Sequence, residues 1–269
     1  MRILYCGDVV GRSGRQAVLE RLGDLKARLK PDVVVVNVEN SAHGFGVTAK
    51  MAEEFLAAGA QALTTGNHVW DQRDIIAYIE TEPRLVRPLN YPRGTPGKGY
   101  ALIDAGRGRT LLVTQLMGRL FMDALDDPFA GIDELLSRHR LGANLSILVD
   151  IHAEASSEKM SVAHFLDGRV SAVIGTHSHI PTADGQILPG GTAYQTDIGM
   201  CGDYDSVIGM NKSIAIAKFT RKMPTEKLAP AEGVGTLCAV LIDTDDATGL
   251  AKAIRPLRLG GRLAETMPE

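Results

Sequence analysis

Two short histidine-bearing segments carry most of the chemical information in the chain: Gly66-Asn67-His68 and, far downstream, Gly175-Thr176-His177-Ser178-His179. Each follows a short apolar stretch with the character of a strand end. With Asp8, Glu39, Asn40 and His152 they bring hard oxygen ligands and imidazoles to the ends of successive strand patterns. That mixture suits a pair of divalent metals, and paired metals are typical of phosphate-ester hydrolysis. Alone, Asp8 reads as a turn or cap residue and Glu39-Asn40 as a solvated loop. In company, Glu39 can bridge two cations, one on each oxygen, and Asn67 can offer a neutral carbonyl oxygen. His68 is adjacent to Asn67 and would face the other way in extended backbone, so the two take different roles. His177 and His179 are two apart and would share a side, one imidazole for each metal of a close pair, with Ser178 turned away.

The elements that must position these residues follow from periodicity. Ile3–Cys6 reads as a strand. Ser13-x-x-Gln16 reads as a capping box opening a helix that carries Val18, Leu22, Leu25 and Leu29, with Pro31 beyond its end. Val33–Val38 has the pattern of a strand buried on both faces. Thr48 caps a helix running through Ala58, with Phe55 and Leu56 inward and Gly59 past its end. Ala62–Thr65 is a short strand and Gln72–Glu80 a helix. Tyr100–Asp104 and Thr110–Gln115 flank a Gly-rich turn as a hairpin. Ile132–Leu141 is read as helical, Leu145–Asp150 as a strand, Ser156–Leu166 as a helix and Val170–Gly175 as a strand. The last third reads as β at Gly191–Thr196, Ser213–Phe219, Gly235–Ile242 and Ala251–Leu257.

Strand–helix alternation followed by hairpins gives an α/β protein: a layered α/β/α sandwich with mixed β-sheets, or two sheets packed face to face. Parallel strands collect their C-terminal ends on one edge, where the metal ligands would lie. With no repeat or long linker, residues 1–269 are expected to form a single domain. The length supports a substantial core, and 45% hydrophobic with 23% charged residues is ordinary globular composition. The net charge of −3 provides no field for long nucleic acid or anionic membrane. The most basic stretch, Arg221 to Lys227, is interrupted by Pro224 and reads as a solvated loop. No apolar run approaches the ~20 residues of a membrane span. The N-terminus enters a strand pattern directly, without a signal peptide. Cys6, Cys201 and Cys238 are odd in number and widely spaced, which fits reduced thiols in the cytoplasm. Cys6 reads as a small buried apolar residue rather than a ligand.

Other candidates are weaker. Gly7–Gly14 lacks the Gly-Lys-Ser/Thr ending of a P-loop and the spacing of a dinucleotide fingerprint. There is no Gly-x-Ser-x-Gly nucleophile elbow. His43 reads as a loop residue, and His139 and His164 as helix residues without a chemical role. Glu154, close after His152, is either an orienting partner of a ligand or a turn carboxylate. Asp71 reads first as an N-cap before Gln72, and second as a partner for His68. Arg12 and Arg119 are candidate phosphate contacts. Leu116–Leu125 is read as core, with a homo-oligomer interface as the alternative.

Six motifs together resemble the calcineurin-like metallophosphoesterase superfamily, and within it the YmdB-type bacterial branch. They are Gly7-Asp8-Val9-Val10-Gly11-Arg12, Asn37-Val38-Glu39-Asn40, Thr65-Gly66-Asn67-His68-Val69-Trp70, Asp150-Ile151-His152-Ala153-Glu154, Gly175-Thr176-His177-Ser178-His179 and Gly190-Gly191-Thr192-Ala193-Tyr194. The likeness runs from Arg2 to about Ile242. It implies Asp8, Glu39, Asn40 and His179 on one metal, and Glu39, Asn67, His152 and His177 on the other, with Glu39 bridging. It implies that His68 is no ligand but a general acid for the leaving oxygen. Most of the superfamily has His where this chain has Val10, and Asp where it has Glu39. The loss of that histidine makes the first metal richer in oxygen, favouring iron or manganese, with zinc possible, as the two divalent or trivalent ions. The implied reaction is hydrolysis of a small phosphodiester by in-line attack of a hydroxide held between the metals. Cyclic nucleotides are the implied substrates, 2′,3′-cyclic ones first and 3′,5′-cyclic ones second. A phosphomonoesterase on the same metal core, or a metal-stabilised regulatory protein with residual catalysis, are the alternatives.

Overall fold

The structure, a computed structural model, describes residues 1–221, 223 and 226–268. In chain order the first half comprises β1 (Arg2–Cys6), β2 (Asp8–Val9), α1 (Gly11–Leu19), α2 (Leu22–Leu29), β3 (Val33–Asn37), α3 (Ala49–Ala57), β4 (Ala62–Thr64), α4 (Ile75–Thr81), β5 (Leu85–Val86), β6 (Tyr100–Asp104) and β7 (Thr110–Met117). The second half comprises α5 (Pro128–Arg138), β8 (Leu145–His152), α6 (Ser156–Leu166), β9 (Ala172–Thr176), β10 (Gln186–Ile187), β11 (Ala193–Gln195), β12 (Met200–Cys201), α7 (Lys212–Arg221), β13 (Leu237–Thr244) and β14 (Ala251–Leu259).

The strands build two six-stranded mixed sheets, ordered β14-β13-β1-β3-β4-β5 and β10-β11-β9-β8-β7-β6, and β12 pairs with β2 in a small parallel two-stranded sheet. β1, β3, β4 and β5 are parallel, as are β7, β8, β9 and β11. The period-2 alternation of each strand decides the layers. On the first sheet Ile3, Tyr5, Val33, Val35 and Ala62 point to one face. They meet Leu111, Val113, Leu148, Ala172 and Ile174 from the second sheet. The opposite side chains, Leu4, Cys6, Val34 and Val36, pack against α1, α2 and α3. On the far side Leu112, Ile147, Val149 and Ile151 pack against α5 and α6. The two sequence expectations therefore combine: helices, sheet, sheet, helices.

Several boundaries differ from the sequence reading for local reasons. The helix expected from Ser13 through Leu29 is two helices broken at Glu20-Arg21, and it starts earlier, with Val10 at its N-cap. Ser13 lies inside α1 and donates its hydroxyl to the carbonyl of Gly233, so it caps nothing. The stripe Leu22, Leu25, Leu29 is buried as expected, each side chain contributing roughly 1.5–3 kcal/mol. Thr48 does cap α3, accepting from the Met51 N–H at 3.2 Å. α5 begins at Pro128 rather than Ile132: Asp127 accepts from the N–H groups of Phe129 and Ala130, and Pro128 occupies a first-turn position that needs no N–H. Ser213–Phe219, expected as β from its alternating Ile-Ala pattern, is helix α7, initiated by Asn211 Oδ1 accepting from Ser213 and Ile214 N–H.

Leu116–Leu125 is only partly core. Leu116 and Met117 are buried, whereas Phe121 is 90% exposed at φ 62°. The Glu158 carboxylate accepts from Arg119 and Leu120 N–H, and the chain beyond turns outward. Of the basic stretch, Lys222, Pro224 and Thr225 lie outside the described residues. Among the described residues no helix is long and apolar enough to cross a membrane.

Candidate metal centre

The parallel strands of both sheets end on a common edge, and the predicted residues meet there. Asp8 follows β1, Glu39 and Asn40 follow β3, and Asn67 and His68 follow β4. His152 ends β8, and His177 and His179 follow β9. Two groups of donor atoms form: Asp8, Glu39 and His179 in one, and Glu39, His152 and His177 in the other, with Glu39 common to both. Asn67 joins the second group, its Oδ1 2.8 Å from His152 Nε2. Asn40 donates its amide to the carbonyl of Gly44 and leaves Oδ1 buried without a donor. Cys6 stays in the helix-side core. His43 and His164 are exposed. Arg12 is exposed, and Arg119 pairs with Asp127 at 3.6 Å.

His177 and His179 are not in extended backbone. Their φ values of 94° and 66° put both in the left-handed region, which costs of order 1–3 kcal/mol each unless the surroundings impose it. The surroundings do so. Ser178 donates its N–H and hydroxyl to Asp197, at 3.0 and 2.8 Å, and buried Lys159 pairs with the same oxygen at 2.8 Å. The outcome matches the expected division of labour by a different route: the two imidazoles serve different groups, and Ser178 turns away to its own partner.

Each histidine has one nitrogen engaged outside the centre and one aimed into it. His179 Nδ1 donates to the Ile208 carbonyl at 2.8 Å, leaving Nε2 3.8 Å from both Asp8 Oδ2 and Glu39 Oε1. His177 Nε2 lies 3.3 Å from Glu154, the orienting role for that carboxylate, and its Nδ1 is 3.1 Å from His152 Nε2. His152 Nδ1 is held by Thr176 Oγ1 at 2.8 Å. Outer partners of this kind are what metal-ligating histidines need to fix their rings.

At the middle, His152 Nε2 is 2.9 Å from Glu39 Oε2 and also faces Asn67 and His177. Its line to Asn67 is better directed, and Glu39 Oε2 has no hydrogen-bond donor despite full burial. The Glu39 carboxylate oxygen is thus left buried and without a donor among further acceptor groups, a combination that positive charge must balance. The titration properties say the same. Burial, then the neighbouring Glu39, pushes Asp8 up to about 8. Burial opposes ionisation of Glu39 too, but His152 and His179 outweigh it and hold Glu39 well below its usual range. Burial would lower His179, yet Glu39 and Asp8 raise it to about 9. Burial and then His152 push His177 down to about 3. The donor set therefore fits a pair of cations. The Gly66 backbone adds to the fit: at φ 57° it passes so close that a Cβ there would stand 1.8 Å from Glu39 Oε2.

His68 stands beside the centre, outside both groups. Its Nδ1 is 2.8 Å from Asp71 Oδ2, and its ring meets Phe45 edge-on at 5.2 Å. Asp71 is therefore a partner of His68 and not a helix cap; α4 starts at Ile75, later than expected, because the residues before it are engaged with the site. Gln72, in the same segment, donates to the Phe45 carbonyl at 2.8 Å. Sequence reasoning assigned no role to Asn37, whose amide donates to Asp8 Oδ1 at 2.5 Å, or to Thr176, Asp150 and Gln115 behind the site. Thr176 and Asp150 lie within quoted motifs, and that adjacency was the available signal. Where most of the superfamily has a histidine, Val10 is buried and packs towards Gly202 and Gly209.

Comparison with known proteins places the chain in a family. The chain is 47% identical over 254 residues to a 2′,3′-cyclic-nucleotide 2′-phosphodiesterase of Bacillus subtilis, covering 94% of this chain and 95% of the relative. A hypothetical protein of Thermus thermophilus superposes with a TM-score of 0.90 at 43% identity, over 96% of this chain and 99% of the other. A phosphatase of Mycoplasma pneumoniae superposes with a TM-score of 0.90 at 32% identity, over 96% and 93%. The model of the YmdB-like protein family matches residues 4–257. The chain belongs to the YmdB-like protein family.

Proposed function

We propose that the protein is a metal-dependent phosphoric diester hydrolase acting on small cyclic phosphodiesters, 2′,3′-cyclic nucleotides before 3′,5′-cyclic ones. The observation that carries this reading is the pair of donor groups sharing Glu39, with a non-ligand histidine beside them. Asp8, Glu39, Asn40 and His179 would hold one ion; Glu39, Asn67, His152 and His177 would hold the other. When bound, two ions here supply Lewis-acid charge for the phosphoryl oxygens and for the attacking water. The oxygen-rich first set favours iron or manganese over zinc. Support for the substrate comes from the Bacillus subtilis relative, and for a soluble small-molecule enzyme from the near-neutral charge.

The chain's own residues contribute orientation and a proton. Asp71 Oδ2 accepts a hydrogen bond from His68 Nδ1–H and keeps Nε2 as the nitrogen that serves the substrate. As water loses a proton to solvent and adds to phosphorus, the ring P–O bond breaks and His68 gives its Nε2 proton to the departing ribose oxygen, to be reprotonated from solvent. Phe45 packs against the imidazole and limits its rotation. Lys159 and Asp197 hold the turn that carries His177 and His179. Residues 1–269 act as one domain in this reading, since both sheets supply ligands.

The test is turnover of 2′,3′-cyclic AMP by metal-loaded protein beside Asn67→Ala and His68→Ala, with bound metal quantified. Both variants should lose activity, Asn67→Ala with loss of metal and His68→Ala without it. Hydrolysis of p-nitrophenyl phosphate by the loaded wild type, with none of its diester, would replace this reading by a phosphomonoesterase.

A further inference from the structure

Beside the candidate centre, the loop between β7 and α5 is a second built feature. Met117, the last residue of β7, pairs with His152, and the Gly118 N–H donates to the His152 carbonyl at 3.0 Å. The loop therefore leaves the sheet next to a residue of the second donor group. A Cβ on Gly118 would stand 2.6 Å from Ala153 Cβ and 2.4 Å from Glu158 Oε2, so the chain runs tight against the segment carrying Glu154, which faces His177. Two clamps fix it. Glu158 accepts from Arg119 N–H at 2.9 Å and from Leu120 N–H at 3.2 Å. Buried Asn90 holds both ends: its amide donates to the Met117 and Asp126 carbonyls, each at 2.9 Å, and its Oδ1 accepts from Met117 N–H at 2.9 Å.

The far part of the loop reaches the His68 side of the site. Burial, then the Asp123 carboxylate, raises the Tyr91 phenol, and the Tyr91 ring meets Trp70 edge-on at 5.9 Å. Trp70 is two residues past His68. Met122 packs on the core outside the second sheet. Its neighbour Phe121 does the opposite: it is 90% exposed, at φ 62°. Left-handed φ is rare and costly for a bulky residue and persists only where the surroundings impose it. Leu120 and Phe121 are the large exposed apolar side chains of the loop, flanked by Arg119, Asp123, Asp126 and Asp127. An interface between proteins needs about 800 Å² per partner. One phenyl face between charged neighbours is sized instead for a single planar ring.

We propose that Phe121 is a specificity-determining residue for the nucleoside part of the substrate, its ring being the platform on which the nucleobase stacks. This rests on the cyclic-nucleotide reading above. In that reading His68 serves the departing ribose oxygen, so the ribose and its base lie on the side that the loop flanks through Tyr91 and Trp70. Stacking uses the π-face that every base has, so Phe121 separates nucleotides from base-free cyclic phosphates without choosing one base. Such a stack is worth about five- to 150-fold in affinity. It is made equally before and during the reaction, so it acts on KM and not on kcat.

The experiment compares KM and kcat of metal-loaded wild type, Phe121→Ala and Phe121→Trp on 2′,3′-cyclic AMP and on methyl riboside 2′,3′-cyclic phosphate, which carries a methoxy group in place of the base. Phe121→Ala should raise KM for 2′,3′-cyclic AMP at least about fivefold at unchanged kcat and leave the base-free substrate as it was. Phe121→Trp should restore the wild-type KM or lower it. Quenching of tryptophan fluorescence by adenosine 3′-monophosphate reads the stack without turnover: Phe121→Trp should be quenched beyond wild type, whose one tryptophan is Trp70. An unchanged KM in Phe121→Ala, an equal loss on both substrates, or no added quenching in Phe121→Trp would overturn the proposal. So would an unchanged KM with a smaller assembly by light scattering, which would assign the ring to an interface between copies. Added quenching in a protein that hydrolyses neither substrate would count against the hydrolase reading alone, and the platform would stand.

Discussion

Gly66→Ala perturbs the centre without removing any proposed ligand. The new Cβ would lie 1.8 Å from Glu39 Oε2, 2.7 Å from Glu39 Cδ and 2.9 Å from His152 Cε1. Real Cβ atoms essentially never approach within 3.0 Å, so the carboxylate or the loop must give way by more than 1 Å. The left-handed φ of 57° adds about 1–2 kcal/mol of backbone strain for a residue with a Cβ. Glu39 is the residue common to both donor groups, so its displacement affects both at once. A misplacement of about 1 Å at a reacting centre can cost on the order of a hundredfold in rate, or about 2.7 kcal/mol. The variant should therefore hydrolyse 2′,3′-cyclic AMP at least about a hundredfold more slowly and bind both ions more weakly. Its melting temperature should fall by only a few degrees, about 2–4 °C per kcal/mol for a chain of this size. Gly23→Ala is the control: it lies within α2, meets nothing within 4 Å and should be neutral or slightly stabilising. Elemental analysis, turnover and thermal melting of the two variants decide the matter. Two tightly bound ions and near-normal turnover in Gly66→Ala would refute the reasoning.

Three further outcomes are expected. Asp71→Asn should leave the metal content unchanged and lower turnover most for substrates with poor leaving groups, since it weakens only the orientation of His68; an equal loss on good and poor leaving groups would contradict that role. Lys159→Met leaves the carboxylate of Asp197 buried and unpaired, a loss of about 3–5 kcal/mol in denaturant unfolding, whereas removing exposed Arg138 should change nothing measurable. The third concerns pH: burial alone would raise Asp32, but the Arg109 fork and the Arg2 N–H outweigh it and hold the carboxyl below its usual range. A depressed folded pKa gives stability that is present above the ordinary value of about 3.9 and lost as pH falls through the folded value. Arg109→Gln should thus be less stable than wild type by about 1 kcal/mol at neutral pH, with the gap closing in acid; a gap that persists in acid would assign the effect to packing.

The site was more legible in the sequence than the layers that carry it. Strand ends are marked by the stop of a β-branched run, as at Val33–Val38 before Glu39, so residues just beyond them could be grouped on one edge from the sequence alone. Helix starts were less readable because their signals are ambiguous. Pro128 resembles a breaker and is a first-turn residue, and Ser13 resembles a cap and lies inside a helix. The Ile-Ala alternation of α7 has the period of a strand, and the cap that Asn211 Oδ1 provides to the N–H groups of Ser213 and Ile214 starts a helix there instead. Backbone conformation was the least accessible feature. Nothing in Gly175–His179 announces that two non-glycine residues adopt left-handed φ, because the cause is Asp197 and Lys159, distant in sequence.

The centre also lies across the seam between the two sheets. Glu39, Asn40 and Asn67 follow strands of the first sheet and Asp8 directly follows its β1, whereas His152, His177 and His179 come from β8 and β9 of the second. On the proposed ligand sets neither layer is complete for either ion, so ion binding and the docking of the layers would be one equilibrium. Cations in that position would act as rivets, and every tenfold rise in free ion above its dissociation constant would tighten the joint by about 1.4 kcal/mol per site. The supply of ion would then govern how long the enzyme survives as well as how fast it works.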